Sequence, residues 1–157
     1  MLGAGGVLPP GKHVVTIDEF HTHFVDAFGD STSRKRLFVR WQRHREALSS
    51  VLPIHSQWIN GSYVTSKINP GDVDVVTLFD GEAFDGLAPG LQQMVGAMLA
   101  GKQTKHVWGI DSYALPIYPD GHSLAPETLK AKDHWDWFWQ RIKDVEGAEK
   151  GYLEVMA

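Results

Sequence analysis

Apolar residues recur along this chain with two periods, and the switches between them outline its elements. Ile17, Phe20, Phe24 and Phe28 fall three or four apart, the stripe of an amphipathic helix, and Gly29 ends it. Thr16 stands before the stripe with Glu19 three residues on, the pair that makes a capping box. A second helix is predicted from about Thr32 to Leu52, capped by Ser31 and stopped by Pro53, with Leu37, Phe38, Trp41 and Leu48 on one side. Gln57 to Asn60 then reads as a short strand leading into Gly61, and Asn69-Pro70-Gly71 as a turn. Asp72 to Phe79 is a strand rich in β-branched residues. After an irregular stretch from Gly81 to Pro89, Leu91 to Leu99 is a helix closed by Gly101. Val107 to Tyr118 reads as one or two strands broken at Pro116, Asp133 to about Val145 as an aromatic-rich helix, and Tyr152 to Val155 as a last strand. Residues 1–12, rich in Gly and Pro, read as an extended or frayed lead. This order predicts a single α/β (α+β) domain over residues 1–157, a small mixed sheet with flanking helices.

Composition narrows the functions open to such a domain. With 157 residues, 43% hydrophobic and 22% charged, the chain is sized for one packed core. A net charge of -4 gives no global field for nucleic acid, although a local basic patch stays open. The absence of cysteine removes disulfides, thiolate metal sites and a cysteine nucleophile. No apolar run approaches the roughly 20 residues of a membrane span, and MLGAGGVLPPGKH lacks the basic and apolar regions of a signal peptide. The expectation is a soluble cytoplasmic protein that does not engage a membrane.

The anomaly lies in the strand "DVDVV". Asp72 and Asp74 are two apart, so in an extended chain they project to one face, while Val73, Val75 and Val76 are left for the core. Two carboxylates so close repel, and one tends to hold a proton. A divalent cation relieves the conflict, and an oxygen-rich, sulfur-free site suits Mg2+ or Mn2+. Upstream, Gly61 and Ser62 follow a strand-like segment, where a glycine backbone and a hydroxyl can meet phosphate oxygens. The bland alternative is an Asp-x-Asp in a turn or at an exposed edge.

Gly-Ser, a spacer of nine residues, then Asp-x-Asp among apolar residues resembles the signature of the nucleotidyltransferase superfamily, whose fold is that of polymerase β. The segment "INGSYVTSKINPGDVDVV" is similar to that of the minimal nucleotidyltransferases. The wider chain, through "LPPGKHVVTIDEF", "PGDVDVV" and "KGYLEV", resembles a small bacterial and phage group of that superfamily. The resemblance implies transfer of a nucleoside monophosphate from a nucleoside triphosphate such as ATP to a hydroxyl of a protein or tRNA, with Mg2+ or Mn2+ held by Asp72 and Asp74. It also implies a third carboxylate on a later strand. Asp111, in "HVWGIDSYALPIY", fits that place, and Asp80 and Glu82 beside Gly81 are the alternatives. Gly61, Ser62 and Lys67 become the candidates for holding phosphates. Toxin–antitoxin or phage-defence pairing with a helical partner is a role found among minimal members. A decayed relative that binds nucleotide or a partner without catalysis is the second reading. A non-enzymatic interaction module is the third.

Three further features compete for attention. Arg34, Arg36 and Arg40 make the second helix basic, and the favoured reading is a solvated face, with polyphosphate or nucleic-acid contact as the alternative. The eight histidines show no ligand spacing of the His-Glu-x-x-His kind, so no histidine metal site is expected. In "HWDWFWQR", Trp135 and Trp139 share a helix face and Trp137 lies elsewhere with Arg141. That helix reads as packing plus partner contact, with base stacking as the alternative. No Gly-x-Ser-x-Gly elbow, P-loop or Gly-x-Gly-x-x-Gly is present.

Overall fold

The computed structural model describes residues 1–143 and 145–157. Among the described residues six strands are formed: β1 Gly11–Val15, β2 Ile54–Asn60, β3 Asp74–Asp80, β4 Ala100–Gly101, β5 Asp111–Ile117 and β6 Gly151–Met156. They make one mixed sheet in the order β1-β6-β2-β3-β5-β4. The β1–β6 and β3–β5 pairs are parallel, and the β2–β3, β2–β6 and β4–β5 pairs are antiparallel. Six α-helices accompany it: α1 Ile17–Phe24, α2 Arg34–Ser49, α3 Gly81–Asp85, α4 Pro89–Met98, α5 Lys105–Trp108 and α6 Ala125–Trp139. The fold is α/β. No helix among the described residues is long and apolar enough to cross a membrane.

Alternation along the strands divides the helices between the two faces. On one face Ile59, Val75, Leu153 and Val155 meet Phe20, Phe24, Leu37, Phe38 and Trp41 of α1 and α2. Further along, Ile54 and Phe79 meet Leu48 of α2 and Val95 and Met98 of α4. On the opposite face Trp58, Val76, Leu115 and Tyr152 are covered by Trp135 and Trp139 of α6. The valines between the aspartates are therefore core, as their pattern predicts: Val73, Val75 and Val76 are fully buried.

Local chemistry explains most of the boundaries. Thr16 accepts from Glu19 N (3.1 Å) while the Glu19 carboxylate accepts from Thr16 N (2.8 Å), so the predicted capping box starts α1. The Ser31 hydroxyl accepts from the Arg34 N–H that opens α2. Pro116 does not break β5. Two-residue β4 covers only Ser112 and Tyr113, so beyond it β5 is an edge strand, where a missing N–H costs nothing. The expected strand start at Val107 is instead helix α5, which ends at Gly109 in the left-handed region (φ 73°).

Two further elements depart from the sequence expectation. The lead does not stay frayed: Gly11 and Lys12 open β1, which pairs with Gly151 and Tyr152 of β6. The aromatic helix begins at Ala125, well before Asp133, and ends at Trp139.

Candidate functional site

The Gly-Ser turn, β3 and β5 converge at one end of the sheet. Asn60, Asp74 and Asp111 are register partners across β2, β3 and β5, so their side chains share the face that carries α6. Gly61 follows Asn60 with φ +76°, a conformation that glycine adopts freely. A Cβ built on Gly61 would lie 1.8 Å from Asp74 Oδ2. No other residue leaves room for that carboxylate. The glycine of one motif is thus the seat of the aspartate of the other. Ser62, next along, is half-buried in a short 3-10 turn.

Of the Asp-x-Asp pair only Asp74 joins the ladder. Asp72 lies just before the strand, where Lys105 Nζ meets its Oδ2 at 2.5 Å. Asp111 opens β5; its N–H donates to Val73 O (2.9 Å), its side chain is buried and its Oδ1 has no hydrogen-bond partner. Burial pushes the Asp74 carboxyl up to about 6, reinforced by the charges of Asp72 and Asp111 and opposed by Lys150 and Lys105. Burial and the Asp72 charge also raise Asp111, against the pull of Lys105 and Lys102. These are carboxylates held together at an electrostatic cost that the chain's own cations only partly relieve.

Beside Asp74 opens a cleft of about 470 Å³, lined by Asn60, Gly61, Phe138, Trp139, Arg141, Ile142, Lys143 and Lys150. An acidic corner, three cations and apolar walls meet there. Lys150 is half-buried; desolvation lowers its ammonium and the Asp74 charge raises it. Sequence reading missed Lys150 and Lys105. Lys105 stands in no motif and Lys150 only opens the "KGYLEV" segment, and it is the sheet order that brings both to the end where β3 begins.

Other predicted residues fall elsewhere. Lys67 is exposed; the cations whose charge bears on the aspartates are Lys105, Lys102 and Lys150. Asp80 lies at the far end of β3, where its carboxylate caps α3 by accepting from Ala83 N (2.8 Å), and Glu82 is exposed in that helix. Arg34 corrects the expectation of a solvated face: it is fully buried and donates to the carbonyls of Phe24, Tyr63, Thr65, Lys67 and Ile68. It fastens the segment between the two motifs. Arg36 and Arg40 are exposed. Trp135 and Trp139 pack inward on Tyr113 and Tyr152, while Trp137 is exposed with the Arg141 guanidinium 3.9 Å over its ring.

Among the described residues no three carboxylate or imidazole groups are arranged as a ready metal centre. Two of the three carboxylates nevertheless fit a hard divalent cation: Asp74 and Asp111 are in register, and Asp111 offers a buried oxygen without a partner. The third, Asp72, is engaged by Lys105.

Fold and site together define an α/β protein in which Asp74, with Asp111 in register beside it, opens onto a cationic cleft. The chain belongs to a family of unknown function, DUF6932, which matches residues 2–156. No curated protein and no solved structure matches it.

Proposed function

We propose that this protein is a metal-dependent nucleotidyltransferase, moving a nucleoside monophosphate from a nucleoside triphosphate to an acceptor hydroxyl. The observation that carries this reading is the seating of the Asp74 carboxylate on Gly61, with Asp111 in register beside it. A decayed site has no need to keep two carboxylates together near the core, where losing one relieves repulsion. Mg2+ or Mn2+, when bound, supplies charge neutralisation for the reacting phosphate.

The chain's own residues do the rest by position and charge. Asp74 and Asp111 would hold the cation. Lys150, Arg141 and Lys143 face the triphosphate in the cleft, and the backbone at Gly61 and Ser62 lets it approach closely. The acceptor oxygen bonds to the α-phosphorus as the bond to the departing pyrophosphate breaks, and the hydroxyl proton passes to Asp111. Orientation and a fixed charge pattern lower the barrier without a covalent intermediate.

Titrating ATP, GTP, CTP and UTP into the protein, with and without Mg2+ or Mn2+, tests this. Binding should require the cation and vanish in an Asp72→Asn/Asp74→Asn variant. Absence of binding to well-folded protein overturns the proposal. The Lys105–Asp72 ion pair favours a second reading, a nucleotide-binding protein without catalysis. Cation-dependent binding with no pyrophosphate release on supplying RNA or protein acceptors would select it.

A further inference from the structure

The sequence of α2 is basic over its first three turns, but folding sorts its cations. Arg34 and Arg45 turn inward: Arg34 onto backbone carbonyls, Arg45 onto Gln57 Oε1 and Met156 O. Arg36, Arg40 and Arg43 stay exposed. They stand at i, i+4 and i+7, one stripe along the helix, spanning about 10 Å at the helical rise. None of the three is in an ion pair among the described residues.

The stripe does not stand apart from the carboxylates. The Arg40 side chain rests on Gly109: a Cβ built there would lie 2.6 Å from its Nη1. Two residues on is Asp111. The same segment contributes Lys102, Lys105 and His106, all exposed, and Lys105 reaches Asp72. A chain of net charge -4 thus exposes cations on α2 and on the segment that Arg40 touches at Gly109, the segment whose Lys105 reaches the acidic corner. Like charges without partners on one helix face are unfavourable in isolation. They become favourable when a polyanion lies across them and releases its counterions.

We infer that the exposed face of α2 binds a nucleic-acid strand, whose backbone tracks Arg43, Arg40 and Arg36 towards Lys105 and whose terminal hydroxyl reaches Asp111 as the acceptor. Naming the strand as acceptor rests on the nucleotidyltransferase reading; the binding surface does not. The spacing of the stripe suits successive phosphates better than an acidic protein surface, because the apolar residue exposed beside the three arginines is Val39, too small to anchor a partner as an aromatic side chain would.

The test is fluorescence anisotropy with an end-labelled oligouridylate over a series of salt concentrations, using polyglutamate as the acidic-protein probe. Wild-type protein should bind the RNA. The Arg36→Gln/Arg40→Gln/Arg43→Gln variant should lose at least about tenfold in affinity and about 2 units of the log–log salt slope. Lys130→Gln on α6, an exposed cation remote from the stripe, should change neither. The single Arg40→Gln and Arg43→Gln variants give the same reading in smaller steps if the triple variant folds poorly. Equal slopes for variant and wild type, no RNA binding by wild type, or binding of polyglutamate in preference to RNA each overturn the inference. Nucleotide titration runs separately. Intact nucleotide binding without RNA binding sinks the strand alone. RNA binding without nucleotide binding keeps the surface and removes its role as acceptor site.

Discussion

Two sets of desolvated charge in this molecule are treated in opposite ways. The Arg34 guanidinium is fully buried yet surrounded by carbonyl oxygens that accept from all three of its nitrogens, and the Phe28 ring lies 3.7 Å beneath it. Asp111 is buried and Asp74 half-buried with little such compensation; the Asp74 carboxyl is pushed up to about 6, and Asp111 keeps an oxygen without a partner. Satisfied burial of a charge builds architecture. Unsatisfied burial costs stability and persists where something outside the chain completes it. The first set positions the segment on which the second set depends.

The sharpest way to break this contrast is Arg34→Ala, which strips five carbonyls of their donor. It should destabilise the fold by about 4 kcal/mol, measured by denaturant unfolding. Gly61→Ala comes next: the left-handed backbone and the contact with Asp74 should cost about 2 kcal/mol and eliminate nucleotide binding by calorimetry. Asp74→Asn should act in the opposite direction on stability. The folded carboxyl titrates at about 6 instead of near 3.8, so the folded state binds more protons between these values. Stability therefore falls as pH rises through that window and stays low above it. Asn abolishes the loss, and thermal unfolding near pH 8 should show a gain of about 2 kcal/mol together with a flatter pH profile. Nucleotide binding should be lost in this stabler protein, a combination that a purely structural aspartate would not produce. The smallest effect is Lys105→Gln. The ion pair is largely open to solvent, so stability should change by less than about 1 kcal/mol, while affinity for the divalent cation alone should rise as Asp72 is released.

The contrast also marks how far the sequence could be read. Asp74 and Asp111 stood out because a carboxylate between valines or beside Ile110 has no local reason to be there. Thr16 and Glu19 stood out because capping is local chemistry. Arg34 was illegible: it sits among five other basic residues of its helix, and its acceptors come from residues 24 and 63–68, a pairing no local pattern encodes. Lys150 and β1 were missed for the same physical reason, since both are defined by strands that meet across the length of the chain. The Asp72–Asp74 pair was read as one strand, but the ladder begins at Asp74 and leaves Asp72 free to pair with Lys105.

β6 lies between β1 and β2, inside the sheet, although it comes after every other strand in the chain. At Gly151 the backbone of the opposite end passes so close that a Cβ would sit 2.1 Å from Pro9 O. During synthesis β1 and β2 emerge early and wait as two unpaired edges for a strand still inside the ribosome. Lys150 arrives with it. The Gly-Ser turn and the three aspartates thus precede in the chain the strand that completes the cleft beside them, and that cleft closes only once β6 has been threaded between β1 and β2.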